Sequence, residues 1–306
     1  MVFESIDWIK ELSPEERLKH LGQNRKKSVK KRIYRSNMMI NPLNLEHLNR
    51  LDSLEADMVT LNLEDAIAPE KKREALINTA LFISHLEESN SFIIVRINPF
   101  ESGGREEIAF LNGFRFEAIR ATKIKEADEI ENILKILDKR KELHISLETK
   151  EAFFNIKSLK VSNRVTTFNI GILDLLNSLN LPQSVLNFGS PTIDYILSKF
   201  LIESKSIGVR PISFMYQDYN NLDEFRKWCE RERDMGFRTK ACMGPKQVEI
   251  ANEIFGHTKE EIERAKYIKE IFEKNAQEGN TGFLDEKYGF IDEPIYKDAL
   301  LILKDI

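Results

Sequence analysis

The stretch LHISLETKEAFFNIKSLKVSNRVTTFNIGILDL (143–175) carries the repeating unit of this chain twice. In each copy a short apolar run rich in β-branched residues gives way to a segment with helical spacing. An acidic residue stands at or just past the end of each run, Glu148 after LHISL and Asp174 after VTTFNIG. A strand followed by a helix, repeated, is the signature of parallel βα units. The same unit recurs in both directions along the chain. IYRSNMMI (33–40), DMVTLNLE (57–64), SFIIVRIN (91–98) and AIRATKI (118–124) lie upstream, and IGVRPISFMY (207–216) and FRTKACM (237–243) lie downstream. Helical spacing falls between them over 44–54, 70–88, 127–141 and 222–235, the last closed by Gly236 as a C-cap. Eight strands alternating with helices predict an α/β fold, a TIM (β/α)8 barrel. A doubly wound open sheet is the other arrangement this pattern allows. Gly208 and Pro211 make the seventh run the least regular of the eight.

A barrel has no need of the chain beyond Phe255. There a charged helix over 258–277 precedes the glycine-punctuated EGNTGFLDEKYGFIDEP (278–294) and a short final helix. The expected organisation is an N-terminal helical and basic arm (1–31), the barrel (32–255) and a C-terminal helical and lid extension (256–306). The 306 residues are 42% hydrophobic, enough for a large core, and 31% charged. With 46 basic and 50 acidic side chains the net charge is -4, which gives no global attraction for nucleic acid or an anionic membrane. Cys229 and Cys242 form no CxxC pair. No apolar run approaches the roughly 18 residues that span a bilayer. The acidic N-terminus has no signal-like apolar region, so a cytoplasmic protein is expected.

Catalytic groups of parallel barrels sit at the C-terminal ends of the strands. The first run carries Arg35, the second ends in Glu64-Asp65, and the third carries Arg96 and Asn98. The fourth carries Lys123, the fifth ends in Glu148, and Asp174 follows the sixth. Any one of these is ordinarily a solvated rim group. Arg35, Arg96 and Lys123, however, lie inside apolar runs, where a charge needs partners. Two carboxylates on neighbouring strands, with no cysteine or histidine beside them, suit a hard cation such as Mg²⁺.

RSNMMINP (35–42), LNLEDAIAPEKK (61–72), VRINP (95–99), KIKEAD (123–128), ETKEAF (148–153), GILDL (171–175), GFRTKACMGPKQVEIANEIF (236–255) and GFIDEPIYKDA (289–299) follow in order. This set resembles the citrate lyase beta-subunit-like family (HpcH/HpaI aldolase/citrate lyase superfamily), which includes malyl-CoA lyases, and covers about residues 32–302. The resemblance implies a Mg²⁺-dependent carbon–carbon lyase on a TIM barrel. It would cleave or form a hydroxyacyl-CoA or acyl-carrier thioester, with a 2-oxo acid and an acyl product on the other side of the reaction, and it would work as a homotrimer. It further implies Glu148 and Asp174 as metal ligands, Glu64 and Asp65 as carboxylates around them, and Arg96 on substrate oxygens. Arg35 is implied as a second anion-binding arginine, Lys123 as the lysine of the fourth strand, and Asp292 as a lid acid/base reaching a neighbouring subunit.

The chain departs from that pattern at Asn62 and Ser213, where acids are usual, and at Gly244, where a histidine is usual. These positions belong to the substrate and CoA surroundings rather than to the metal pair. Two further readings therefore stand beside the lyase: a 2-oxo acid aldolase that uses no CoA, and a metal- or ligand-binding barrel with altered catalysis. The basic run RKKSVKKR (25–32) reads as a solvated arm or as a contact for CoA phosphates.

Overall fold

In the computed structural model, which describes residues 1–31 and 33–305, each apolar run becomes a strand shortened at its ends. Arg32, the last residue of the basic run and the first of the expected barrel, lies outside the described residues, as does Ile306. The strands are β1 (Ser36–Ile40), β2 (Met58–Asn62), β3 (Phe92–Arg96), β4 (Ala118–Ala121), β5 (Glu142–Leu147), β6 (Val165–Ile170), β7 (Arg210–Ile212) and β8 (Lys240–Cys242). They pair in parallel in the order β7-β6-β5-β4-β3-β2-β1-β8, and a bridge between Ser213 and Lys240 links the two outer strands. A doubly wound sheet would reverse its strand order partway. This monotonic, nearly closed order surrounded by helices is a TIM-like (β/α)8 barrel. β7 has only three residues because Gly208 turns the chain before it (φ 69°) and Pro211 has no N–H to donate.

Side chains alternate across each strand. Those pointing outward, among them Val59, Leu61, Val95, Ile119, Ile145 and Phe168, pack under the helices in one continuous core. Those pointing inward near the strand starts, Met58, Phe92, Ile94 and Ala118, close the barrel with Tyr34, Ile212 and Ala241. The helix Leu222–Met235 matches its expected bounds. Asn221 accepts from the Glu224 N–H at 3.2 Å at its start, and Gly236, left-handed at φ 107°, donates to the carbonyls of Arg233 and Glu232 at its end. The helix expected over 44–54 keeps only the turn Leu45–Leu48. Between this layer and the sheet lies a fully buried ion pair, with Lys240 Nζ 2.7 Å from Glu232 Oε1 and 3.7 Å from the centre of the Phe214 ring.

The chain divides into two compact units, Met1–Lys30 with Tyr34–Phe255, and Lys31–Ile33 with Gly256–Ile306. In the first unit the N-terminal residues pack on the barrel, and Arg25, Lys27, Ser28 and Lys30 of the basic run are exposed, as expected of a solvated run. Lys26 is buried, with its Nζ 2.5 Å from Glu117 Oε1. The same carboxylate accepts the backbone N–H groups of Val29 (3.0 Å) and Ile93 (2.8 Å). Glu117 precedes β4 and Ile93 is the second residue of β3, so this part of the basic run lies at the N-terminal end of the barrel, opposite the catalytic rim expected of such folds. In the second unit the helices Lys259–Gln277 and Glu293–Lys304 and a hairpin (Gly282–Asp285 with Gly289–Asp292) share a small core of Ala265, Ile268, Phe272, Ile291 and Ala299. Among the described residues no helix is long and apolar enough to cross a membrane.

Glu232→Ala leaves the Lys240 ammonium buried without a counter-charge and should cost about 3–5 kcal/mol of stability. The loss will appear as a lower urea midpoint at unchanged slope. Combining Glu232→Leu with Lys240→Met should restore most of it.

Candidate active site at the C-terminal rim

Five strand ends bring charge together. After β2 the chain turns through Ala66, which is left-handed at φ 65°, and the Asn62 amide donates to the Asp65 carbonyl. That turn presents Glu64 and Asp65 to Arg96, which ends β3 in register with Asn62. Arg96 Nη2 lies 2.7 Å from Glu64 Oε2, 3.0 Å from Asp65 Oδ2 and 3.7 Å from Glu148 Oε2, while Nη1 donates to Asn62 Oδ1 at 3.3 Å.

On the other side of the cluster, Lys123 follows β4 with φ 55°, a conformation that costs a non-glycine residue on the order of 1–3 kcal/mol. It aims the Lys123 N–H at Glu148 Oε1 (2.7 Å), with the ammonium 2.9 Å from Asp174 Oδ1 and 3.9 Å from Glu148 Oε1. Glu148 follows β5. Asp174 sits in the first turn of the helix Ile172–Ser178 that follows β6. Only glycine fits at 171, since a Cβ there would stand 2.9 Å from both Glu148 Cβ and Oε2.

The crowding sets the proton affinities. Burial, then the hydrogen bond with Asp65 and the charge of Glu148, outweigh Arg96 and push Glu64 up to about 7. Burial acts the same way on Asp65, but its hydrogen bond with Glu64 and the charge of Arg96 prevail and hold it below the usual carboxylate range. Burial opposes the Lys123 ammonium, but Glu148 and Asp174 hold its value up.

The donor set suits a hard divalent cation. Glu148 and Asp174, from adjacent strands, converge on one ammonium, and among the described residues neither thiolate nor imidazole joins them in a metal-binding group. Mg²⁺ takes one or two protein carboxylates and fills its octahedron with water and ligand oxygens. Among the described residues no group of three or more His, Cys, Asp or Glu side chains forms a closed cage. A closed tetrahedral zinc site, by contrast, needs four ligands.

Not every residue the sequence singles out reaches this cluster. Arg35 precedes β1 instead of ending it. Its guanidinium holds Asp57 through Nε (2.8 Å) and Nη2 (3.1 Å) at the N-terminal end of the barrel, so the structure does not place this arginine at the rim. Asn98 is buried and both its amide donors are taken, by the Leu63 carbonyl (3.0 Å) and by Glu107, while Lys72 donates to its oxygen. It braces the loop after β3 and turns no donor to the mouth. Asp292 lies in the C-terminal unit, where Oδ1 accepts from the Ile295 N–H at 3.2 Å and caps the final helix.

The departures from the family pattern have local counterparts. A Cβ at Gly244 would meet the Tyr219 ring at 2.8 Å, so the phenol fills the space a side chain there would occupy. Ser213 bridges to Lys240, whose acid partner is Glu232 on the neighbouring helix. One charged residue joins the site from a signal shared with Lys123, a charge inside an apolar run. Arg120 stands three positions earlier in that run, faces into the barrel, and donates from Nε to Ser146 Oγ at 2.7 Å. Burial, and then the charge of Arg96, pull its guanidinium down to about 9.

Known proteins resemble this chain in sequence and in fold. Residues 35–245 match the model of the HpcH/HpaI aldolase/citrate lyase family. A (3S)-malyl-CoA thioesterase of Cereibacter sphaeroides is 27% identical over 233 residues, 76% of this chain and 80% of that protein. The mitochondrial citramalyl-CoA lyase of Rattus norvegicus is 25% identical over 273 residues, 82% and 80% respectively. The fold is shared with the CitE protein of Mycobacterium tuberculosis, solved with magnesium, acetoacetate and coenzyme A. The TM-score is 0.71 at 17% identity, covering 89% of this chain and 98% of that one. The match to the family model over residues 35–245, most of the barrel, places this chain in the HpcH/HpaI aldolase/citrate lyase family.

Proposed function

We propose that this protein is a Mg²⁺-dependent carbon–carbon lyase that cleaves, or forms, a hydroxyacyl-CoA or acyl-carrier thioester, with a 2-oxo acid as one product. The observation that carries the reading is the convergence of Glu148 and Asp174 on a single cation position beside Arg96. Relatives named as citramalyl-CoA lyase, citrate lyase subunit beta and malyl-CoA lyase support it. Glu148 and Asp174 would hold the metal, which when bound would supply Lewis acidity to the carbonyl and carboxylate of a 2-oxo acid.

The remaining chemistry belongs to the side chains. Cleavage beside a thioester leaves negative charge on the acyl oxygen. Arg96, already fixed by Asn62, Glu64 and Asp65, is aimed where that charge develops, a contribution of a few kcal/mol for a preorganised donor. Glu64 exchanges a proton near neutrality, which suits a group that relays one at the rim. Asp292, delivered from a neighbouring copy in a homotrimer, would act as the acid/base that protonates the departing acyl carbon. Lys123 would keep the two metal-binding carboxylates together before the cation arrives.

The test measures 2-oxo acid release from malyl-, citramalyl- and citryl-CoA with Mg²⁺, alongside free CoA. A lyase releases glyoxylate, pyruvate or oxaloacetate. A thioesterase, the activity named in the Cereibacter sphaeroides relatives, releases CoA and the intact hydroxy acid. Glu148→Ala should lower kcat/KM by about 10³-fold or more, as expected when a preorganised electrostatic group and its cation are lost. Full activity in that variant would remove the metal assignment. Cleavage of free 4-hydroxy-2-oxo acids without any thioester activity would instead identify an aldolase.

Glu64 also gives the metal-free protein a pH signature. Its folded-state value of about 7 lies above the ordinary 4.5, so folding opposes its ionised form. The stability linked to its protonated state is present below pH 4.5 and is lost as pH rises through 7. Carboxyl-labelled NMR should therefore show one glutamate titrating near neutrality. That resonance should vanish in Glu64→Gln, and saturating Mg²⁺ should move its midpoint down.

A further inference from the structure

The upper interior of the barrel holds buried hydrogen-bond donors that no acceptor among the described residues meets. Arg96 Nε and Asn169 Nδ2 are buried without a partner. Arg120 is 7% exposed, and among the described residues its Nη1 and Nη2 meet no acceptor. Registers place the three together. Arg96 and Arg120 are paired positions on β3 and β4, and Ser146, which receives Arg120 Nε, is paired with Asn169 on β5 and β6. Neighbouring paired residues point to the same face. That face is the barrel interior, because Asn37 of β1 reaches across to Asn169 Oδ1 at 3.3 Å. Arg120 also points toward the rim. Its paired residue on β5 is His144, yet its Nε reaches Ser146, two residues nearer the C-terminal end.

Arg17, the other buried arginine outside this cluster, has the Ile9 carbonyl, Asn78 and Glu74, and the half-buried Arg35 has Asp57. The carboxylates whose charge reaches Arg120, those of Glu148, Glu64 and Asp65, are already engaged by Arg96 or Lys123. Water can satisfy a buried donor, but it does not offset a cation held out of solvent. Planar guanidinium donors beside an amide N–H₂ match the two oxygens of a carboxylate.

We propose that Arg120, Asn169 Nδ2 and Arg96 Nε form a carboxylate subsite inside the barrel, beneath the rim cluster, so that the acid this protein accepts carries a second carboxylate directed down the barrel axis. The assignment rests on the rim being a small-acid site, as proposed above. It selects dicarboxylic over monocarboxylic acids.

Succinate and butyrate, equal in length and differing by one carboxylate, are the probes. Their binding to the full chain is measured by calorimetry with and without Mg²⁺, for wild type, Arg120→Met and Asn169→Asp. Wild type should bind succinate tighter by on the order of tenfold or more. Arg120→Met should bind the two alike while melting close to wild type, since it removes a buried guanidinium that no carboxylate among the described residues hydrogen-bonds. Asn169→Asp, which sets a carboxylate against Arg120, should abolish the preference even if the Arg120 variant fails to fold.

Equal affinities in wild type, no binding of either probe, or a preference that persists in both variants would overturn the proposal. So would a site that chloride saturates and a second carboxylate does not improve. Neither probe can be cleaved, so the outcome is separate from the lyase assay. A succinate preference without 2-oxo acid release would leave the subsite standing and remove the reaction. Release without the preference would do the reverse.

Discussion

The Arg96 guanidinium is the fixed point of this protein's rim. One of its nitrogens lies within 4 Å of three carboxylates delivered from two different strand ends. Without it, Glu64, Asp65 and Glu148 would repel one another across a partly desolvated space. The whole cluster is close to neutral. Arg96, Arg120 and Lys123 supply three positive charges against four carboxylates, those of Glu64, Asp65, Glu148 and Asp174. The sum is 3 − 4 = −1, or zero when Glu64 holds its proton. A divalent cation entering this balance favours release of that proton, so metal binding and the ionisation of Glu64 are coupled events.

The barrel and the rim were legible in the sequence because both leave local marks. Short β-branched runs separated by helical spacing locate the strands, and charges at the ends of those runs locate Glu64, Asp65, Lys123, Glu148 and Asp174. What the sequence hides is partnership over distance. Lys26 looks as solvated as its neighbours until Glu117, 91 positions later, is folded against it. Arg35 looks like a rim residue because run boundaries are uncertain by a few positions. A shift of that size moves a residue from the end of a strand to its start, and so across the whole barrel. Asn98 has the right place but the wrong company, its amide being spent on Glu107 and Leu63. Arg120 carries the same mark as Lys123, but only the registers reveal that its side chain turns inward and upward.

The departures from the family pattern read as rearrangements with their own packing. Tyr219 stands where a larger residue at 244 would project. A helix carboxylate, Glu232, balances Lys240 beside Ser213. Asn62, neutral at a position where an acid is usual, accepts from Arg96 while leaving the full charge of that arginine to Glu64 and Asp65.

The pairing of β1 with β8 has a consequence for how the chain is made. Ser36 finds its partner in Lys240, some two hundred positions later. During synthesis the first strand must therefore leave the ribosome and wait, one edge unpaired, until nearly the whole barrel has followed. Through that interval β1 and the growing edge at β7 offer open hydrogen-bonding rows to any neighbouring chain. The nascent protein is most exposed to misassembly just before its last strand arrives, and translation speed across the region encoding β7 and β8 becomes a determinant of yield.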